Sequence, residues 1–355
     1  MRGIVWDGER LIVTDKLSVR APGPGEVKLR LLRSGICRSD LIMMQPGAVA
    51  GPVVLGHEAA GVVMEIGYGV DTVHVHDRVV VSTQTPCGHC RECLRGTPAN
   101  CDKTWGFVPD HPFRWRGVPV ASFANVSSFA EEIIVDATQL FAIGDLPPEQ
   151  AALIGCAVST GYCAAQNLGR VRALDRVAVI GVGGIGVNAI RAAHLAGASV
   201  LAVDVNPLKE AVARTFGAEK FILADRDAST LVASMREAFA PIDVAIECSG
   251  APTAVEAAIH GVKRGGRAVL IGMTNQGATA TMSLETVLLG REIVSVMNGG
   301  AVPERDYPKL IKLATQGRLN LADQVTGVWP LQEVEAAIAA LRAGQVTRAV
   351  LDHTR

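Results

Sequence analysis

Cys87, Cys90, Cys93 and Cys101 lie within fifteen residues, in the spacing C-x2-C-x2-C-x7-C. Thiolates this close along a chain can converge on one tetrahedral Zn²⁺, at Zn–S distances of about 2.3 Å. Cysteines only three residues apart, in a chain that opens without an export signal, make a poor disulfide framework. Four thiolates leave no open coordination position. Such a centre holds a lobe together, and the chemistry has to come from other residues.

A second motif is the turn in RVAVIGVGGIGVNAIRAAHLAG, where Gly181, Gly183 and Gly186 stand in G-x-G-x-x-G register between an apolar run and a helical one. The first glycine makes the turn, the second lets backbone approach a pyrophosphate, and the third allows close helix–strand packing. Gly184 and Ile185 complete the turn. The next apolar run ends in Asp204, about twenty residues on, where a carboxylate can accept from both hydroxyls of an adenosine ribose. It would repel a 2′-phosphate, so NAD is expected over NADP. Asn206 and Lys209 lie within reach of the same ribose.

Cys37, Cys156, Cys163, Cys248 and His57 remain. Taken singly, each is more often a packed core residue than a ligand, and no spacing rule joins Cys37, His57 and Cys156.

These groups need elements to hold them. Between Gly25 and about Ile143 the chain offers short β-rich runs, EVKLRLL, AAGVVMEIG, RVVVS and AEEIIV, broken by Gly, Pro and the cysteine lobe. That predicts an irregular, mainly β domain. From Arg176 the pattern changes to apolar strands, RVAVI, SVLAVD, KFILA, IDVAIEC, RAVLIGM and EIVSVM, alternating with helical segments. Six strands with crossovers predict a doubly wound parallel sheet, so the fold class is α/β. After Met297 come a helix from Tyr307 to Gln316, a strand from Gln324 to Trp329, a helix from Leu331 to Ala343 and the run TRAVLD. The pattern does not decide which domain these last pieces join.

The 355 residues suffice for two domains with cores of their own. Lys plus Arg number 34 against 35 Asp plus Glu, which offers no electrostatic footprint for nucleic acid or an anionic membrane. The start, MRGIVWDGERL, has no uninterrupted apolar h-region, and no apolar run reaches the ~18 residues of a membrane span. A soluble, cytoplasmic protein with reduced thiols is expected.

In SGICRSD, GHEAAGVV, the cysteine lobe, IGCAVSTGY and VIGVGGIG, taken in this order, the chain resembles the zinc-dependent medium-chain alcohol dehydrogenases over nearly its whole length. The resemblance implies a GroES-like catalytic domain, residues 1–157 and 298–355, and a Rossmann NAD-binding domain, residues 158–297, with the active site in the cleft between them. It implies that Cys37, His57 and Cys156 hold a catalytic Zn²⁺ and the lobe a structural one, two per chain. Two thiolates and an imidazole leave a fourth position open, where Zn²⁺ acts as a Lewis acid and lowers an alcohol's pKa. The carbinol hydride then passes to the nicotinamide. By the same resemblance Asp40 orients His57, Glu58 lies behind the metal, and Ser39 takes the alcohol proton. Arg38 and Arg348 pair with the pyrophosphate, and Thr160 lies beside the nicotinamide. Arg348 is also the candidate partner for a buried Glu58.

The family pattern is not followed throughout. Some members pass the proton to a histidine three residues after the serine, where this chain has Ile42. The segment between Cys101 and Cys156 is shorter than in the vertebrate enzymes, so substrate preference does not transfer. Thr83 is small where many relatives carry an aromatic residue, which suggests room for a bulky alcohol. Phe129 and Trp105 are candidate pocket walls, whereas His74, His76 and His111 read as solvated loop residues. The expected reaction interconverts primary or secondary alcohols with aldehydes or ketones, in a homodimer or homotetramer paired around Glu292 to Asn298. One alternative is a dehydrogenase of thiol–aldehyde adducts, with Arg114 and Arg116 holding an anionic thiol. The other is a non-catalytic, dinucleotide-binding zinc protein.

Overall fold

The computed structural model describes residues 1–45, 47–49, 51–104 and 111–355, without the side chains of Thr104 and Val287. Trp105 lies outside the described residues. The chain forms two compact units, Met1–Cys156 with Val302–Arg355, and Ala157–Ala301.

The first unit contains, in chain order, β1 (Gly3–Trp6), β2 (Leu11–Thr14), β3 (Leu17–Val19), β4 (Glu26–Gly35), β5 (Val53–Val54), β6 (Glu58–Ile66), β7 (Arg78–Val81), β8 (Phe113–Trp115), β9 (Val118–Ser122), β10 (Glu132–Asp136) and β11 (Leu140–Ala142). The second contains β12 (Arg176–Ile180), β13 (Ser199–Asp204), β14 (Lys220–Leu223), β15 (Val244–Glu247), β16 (Arg267–Leu270) and β17 (Glu292–Val294). The chain then supplies β18 (Val325–Pro330) and β19 (Arg348–Asp352) to the first unit.

Two sheets build the first unit. One has the order β11-β7-β6-β4-β19-β18, with β10 paired to β4, and the other runs β2-β1-β5-β9-β8-β3. β4 alternates inward Val27, Leu29 and Leu31 with more exposed Lys28 and Arg30, the period-2 pattern of a half-covered antiparallel strand. Ile4, Val5, Leu29, Val63, Val79 and Phe129 are fully enclosed in one apolar core. β19 pairs antiparallel with β4 through Val350–Gly35, Leu351–Ser34 and Asp352–Arg33, which settles where the last strand belongs.

The second unit is a parallel six-stranded sheet in the order β14-β13-β12-β15-β16-β17. Val177, Ala178, Val179, Leu201, Val203 and Ala245 have no exposed surface, as strands covered on both faces require. All six apolar runs named from the sequence are strands here. The helix Lys209–Phe216 ends at Gly217, whose φ of 110° is the left-handed stop that glycine adopts without strain. Asp227 caps the helix Ala228–Phe239, its Oδ1 accepting from Thr230 N at 2.8 Å.

Among the described residues no helix is long and apolar enough to cross a membrane.

Candidate active site

In the first unit, Cys37 ends the stretch after β4 and serves as N-cap of the short helix Arg38–Met43. Asp40 closes that cap, its Oδ2 accepting from Cys37 N at 2.8 Å. Its Oδ1 accepts from Gly56 N at 3.0 Å and lies 3.2 Å from His57 Nδ1. One enclosed carboxylate therefore fixes both the turn bearing Cys37 and the ring of His57, leaving Nε2 to face the cluster. Cys156 arrives on a different element, a π-helical turn, Ile154–Val158. Such turns redirect side chains within helices and are frequent at functional sites. Tyr307, almost fully buried, donates from its hydroxyl to Gly155 O at 2.8 Å and anchors that turn.

The ligand-type atoms of Cys37, His57, Glu58 and Cys156 all lie within 4.8 Å of one another, and all four residues are buried. Cys37 is held well below the usual thiol range by the Cys156 hydrogen bond and by the positive charge of His57 and Arg348. Cys156 is raised well above it by that same bond and by burial. Burial pulls His57 down, but Asp40 and Cys37 outweigh it and leave the ring well above its ordinary value. The protons kept on Cys156 and His57 are those that a divalent cation would displace. The donor set therefore fits zinc, with two thiols and an imidazole as ligands.

Glu58 is fully enclosed, and burial pushes its carboxyl up to about 7 against the opposing charge of Arg348. The Arg348 guanidinium, 3% exposed, donates through Nη2 to Glu58 Oε2, and its Nε has no partner among the described residues. Arg38 is exposed. Ser39 is half-buried, with Oγ 3.3 Å from His57 Nε2. Ile42 is 9% exposed and offers no acceptor. Gly35 is required here, because a Cβ at that position would fall 1.9 Å from Glu58 Oε2.

The lobe residues Cys87, Cys90, Cys93 and Cys101 also converge, with sulfur atoms within 4.8 Å, and all are free thiols. Backbone N–H groups point at the sulfurs: Cys90 N donates to Cys87 Sγ at 3.2 Å, and Cys87 N to Cys101 Sγ at 3.4 Å. Backbone donors from His89 and Cys90 bring Cys87 to about 6, while burial helps push Cys93 up to about 12. Four sulfurs with amide donors aimed at them suit a closed tetrahedral metal centre.

In the second unit, Gly181 adopts φ 95° and packs on Ser249, whose backbone N would lie 3.1 Å from an added Cβ. A Cβ at Gly186 would meet Gly181 O at 1.9 Å, which enforces glycine for close helix–strand packing. At Gly183 an added Cβ would have no atom within 4 Å, so the turn leaves open space there. Gly184 and Ile185 start the helix Gly184–Leu195, whose N-terminus has no side-chain cap. Uncapped N–H groups facing free space fit a pyrophosphate. Asp204 ends β13, its Oδ2 accepting from Val182 N at 2.7 Å and its Oδ1 from Asn206 N at 2.9 Å. Asn206 Oδ1 accepts from Leu208 N at 3.0 Å, and Lys209 is half-buried at the next helix start. Thr160 is 4% exposed, and its hydroxyl has no partner among the described residues.

Other sequence candidates take structural roles or stay on the surface. Phe129 belongs to the core and packs on Gly56. His74, His76 and His111 are exposed. Arg114 donates to Gly117 O at 3.2 Å, and the Arg116 guanidinium lies over the Trp115 ring at 4.6 Å. Two neighbours of the site were missed in the sequence: Tyr307, bonded to Gly155 O, and Phe123, whose ring stands edge-on to His57 at 5.4 Å. No spacing or motif marks either of them.

Comparison with known proteins places these features in a family. The alcohol dehydrogenase GroES-like domain matches residues 23–145, and the zinc-binding dehydrogenase domain matches residues 184–316. The NDMA-dependent alcohol dehydrogenase of Amycolatopsis methanolica is 32% identical, over 96% of this chain and 95% of that protein. An S-(hydroxymethyl)glutathione dehydrogenase of Photobacterium damsela subsp. piscicida is 31% identical, over 95% of each chain. The crystal structure of an alcohol dehydrogenase zinc-binding domain protein from Burkholderia ambifaria superimposes with a TM-score of 0.92 at 30% identity, covering 99% of this chain and 98% of that one. With this sequence likeness, fold and donor set, the chain belongs to the zinc-dependent medium-chain alcohol dehydrogenase family and is an alcohol dehydrogenase.

Proposed function

We propose that this enzyme uses NAD, holds two Zn²⁺ per chain, and reversibly interconverts primary or secondary alcohols with aldehydes or ketones. The observation that carries the reading is the buried Cys37–His57–Cys156 cluster with the Ser39 hydroxyl 3.3 Å from His57 Nε2. When bound there, zinc supplies Lewis acidity that lowers the alcohol's pKa. NAD⁺, which the Gly181–Gly186 turn and Asp204 would hold, would supply the hydride acceptor. Asp40 holds His57 in one orientation, and Ser39 offers its oxygen to the alcohol proton. Arg348 keeps the Glu58 charge compensated behind the thiols. Since Arg348 is engaged with Glu58, the exposed Arg38 is the better candidate for a pyrophosphate oxygen. Asp204, at the end of β13, supports NAD over NADP.

In solution we expect a homodimer or homotetramer. β17 is a sheet edge with Ile293 38% and Met297 42% exposed nearby, and sedimentation of the purified chain tests this. Eight free thiols support a cytoplasmic setting, which cell fractionation would test.

The experiment is a panel of aliphatic, aromatic and terpenoid alcohols, assayed by NADH absorbance with NAD⁺ and with NADP⁺, beside metal analysis. Two zincs per chain and NAD⁺ reduction are expected, and Cys37→Ser should lose one zinc and the activity while keeping the fold. A wild type that reduces neither cofactor, despite two bound zincs, would sink the catalytic reading. The similarity to an S-(hydroxymethyl)glutathione dehydrogenase favours one second reading, oxidation of thiol–aldehyde adducts. Formaldehyde rates that rise sharply with a low-molecular-weight thiol would select it.

A further inference from the structure

Asp40 fixes Cys37 and His57, whereas Cys156 comes from another stretch of chain. There the π-helical turn Ile154–Val158 stands between the α-helices Pro148–Leu153 and Ser159–Cys163. A π-turn is a local, wider departure from the α-helix, so contacts from outside the helix have to hold it in place. Cys156 is also the last residue of the first unit, to which the chain returns at Val302. Gly155 and Tyr307 therefore stand just inside the two crossings, and the bond between them closes that end of the unit.

Two contacts grip the residue before Cys156. Gly155 packs on β7, where an added Cβ would fall 2.7 Å from Val81 O. The Tyr307 hydroxyl donates to Gly155 O at 2.8 Å. That carbonyl belongs to the planar peptide group that also contains the N and Cα of Cys156, so fixing its oxygen fixes the direction in which Cys156 leaves the backbone.

Tyr307 is itself firmly placed. It lies in the helix Pro303–Thr315, is 1% exposed, and stacks on Phe141 with ring centroids 4.8 Å apart and planes at 28°. Phe141 pairs with Val80, the residue before Val81 on β7. The helix start is tied as well, Val302 N donating to Asp306 Oδ2 at 2.8 Å. A closed circuit runs from β7 through Gly155, Tyr307 and Phe141 back to β7. Phe would give the same apolar burial as the Tyr307 ring; what the hydroxyl adds is the bond to the peptide of Cys156.

We infer that Tyr307 is a positioning residue for the candidate metal centre: acting through the Gly155–Cys156 peptide, its hydroxyl holds the Cys156 thiol in the cluster and so governs how firmly the centre keeps its ion. Removing a group that supports a metal ligand typically changes metal affinity by about 10–100-fold. The inference rests on the reading of Cys37, His57 and Cys156 as zinc ligands.

The test is competition for zinc between the holoenzyme and graded EDTA, read by metal analysis, in wild type, Tyr307→Phe and Phe141→Leu. Cys93→Ser, which lacks the lobe zinc, identifies the cluster's share. Tyr307→Phe keeps the stacked ring and should weaken zinc binding at the cluster by about tenfold or more, with the lobe unchanged. With Co²⁺ in the cluster, the same variant should shift the thiolate–cobalt absorption bands, a signature that lost packing alone does not move. Unchanged cluster affinity or an unchanged cobalt spectrum overturns the inference, even where the variant melts lower. An equal fall at both centres does so too, since it would make the hydroxyl a general prop of the fold. If Tyr307→Phe does not fold, Phe141→Leu decides, because it leaves the hydroxyl but loosens its ring, and unchanged cluster affinity there overturns the inference. Wild type that holds zinc in the lobe and none in the cluster would overturn the metal reading, and this inference with it.

Discussion

Ser39 is the residue on which the proposed proton path turns. Its hydroxyl is close to His57 Nε2, and Ile42, one helical turn on, has no acceptor to continue a relay. A positioned acid–base group contributes about 10²–10⁴ in rate. Ser39→Ala is therefore expected to cut kcat at least a hundredfold with both zincs retained, and Ser39→Thr to keep much of the activity. Near-wild-type turnover in Ser39→Ala would make Ser39 structural. At this scale the sequence was partly legible. SGICRSD shows which residues follow Cys37, yet the reason for Gly35 lies across the sheet, where β4 pairs with β6 and Glu58 occupies the space of a Cβ. Phe123 carried no signal, because its edge-on contact with His57 joins chain segments far apart in sequence.

At the scale of elements, legibility followed hydrophobic length. The central strands β12, β13, β15 and β16 are apolar runs covered on both faces, and the part-exposed edge strands β14 and β17 are apolar runs of the same kind, so each is marked by its own residues. The sheet β2-β1-β5-β9-β8-β3 was not foreseen, since its strands have two to five residues and too few alternations to set a period. β4 keeps its period-2 alternation over Val27–Leu31 and was legible as EVKLRLL, whereas its register shifts at Lys28/Leu29 and Leu31/Arg33 depend on the partner strand β6 and were not. The cysteine lobe is an element with no core of its own. Its helix, Arg91–Leu94, has no buried residue, and Leu94 is 76% exposed. Metal coordination must then supply what apolar burial does not. Cys93→Ser is expected to lose one zinc by elemental analysis and to melt at least about 5 °C lower, while the remaining folded enzyme keeps its turnover. Unchanged zinc content in that variant would remove the lobe's assignment.

For the whole molecule, acid stability should depend on His353, where the end of the chain packs against β4. The ring is 5% exposed, with Nε2 2.7 Å from Ser34 Oγ. Ser34 Oγ donates its hydrogen to Ser128 O at 2.6 Å, so Nε2–H must be the donor to Ser34, leaving Nδ1 bare and without a partner among the described residues. A second proton would go to Nδ1 and bury a charge without an acceptor. Burial accordingly pulls His353 from 6.5 to about 3; Glu131 and Asp352 oppose this, and Arg33 and Arg2 add to it. Between those two values the unfolded chain binds a proton that the folded chain refuses, so stability is fully present above pH 6.5 and declines as pH falls toward 3. The whole span corresponds to roughly 5 kcal/mol, about half of it lost by pH 4.5. His353→Gln keeps a donor for Ser34 but does not titrate. In urea unfolding at pH 7 and pH 4.5, wild type should therefore lose about 2–3 kcal/mol more than His353→Gln. Acid release of zinc affects both proteins alike and cancels in the difference. Equal losses would mean that the folded state accommodates the imidazolium.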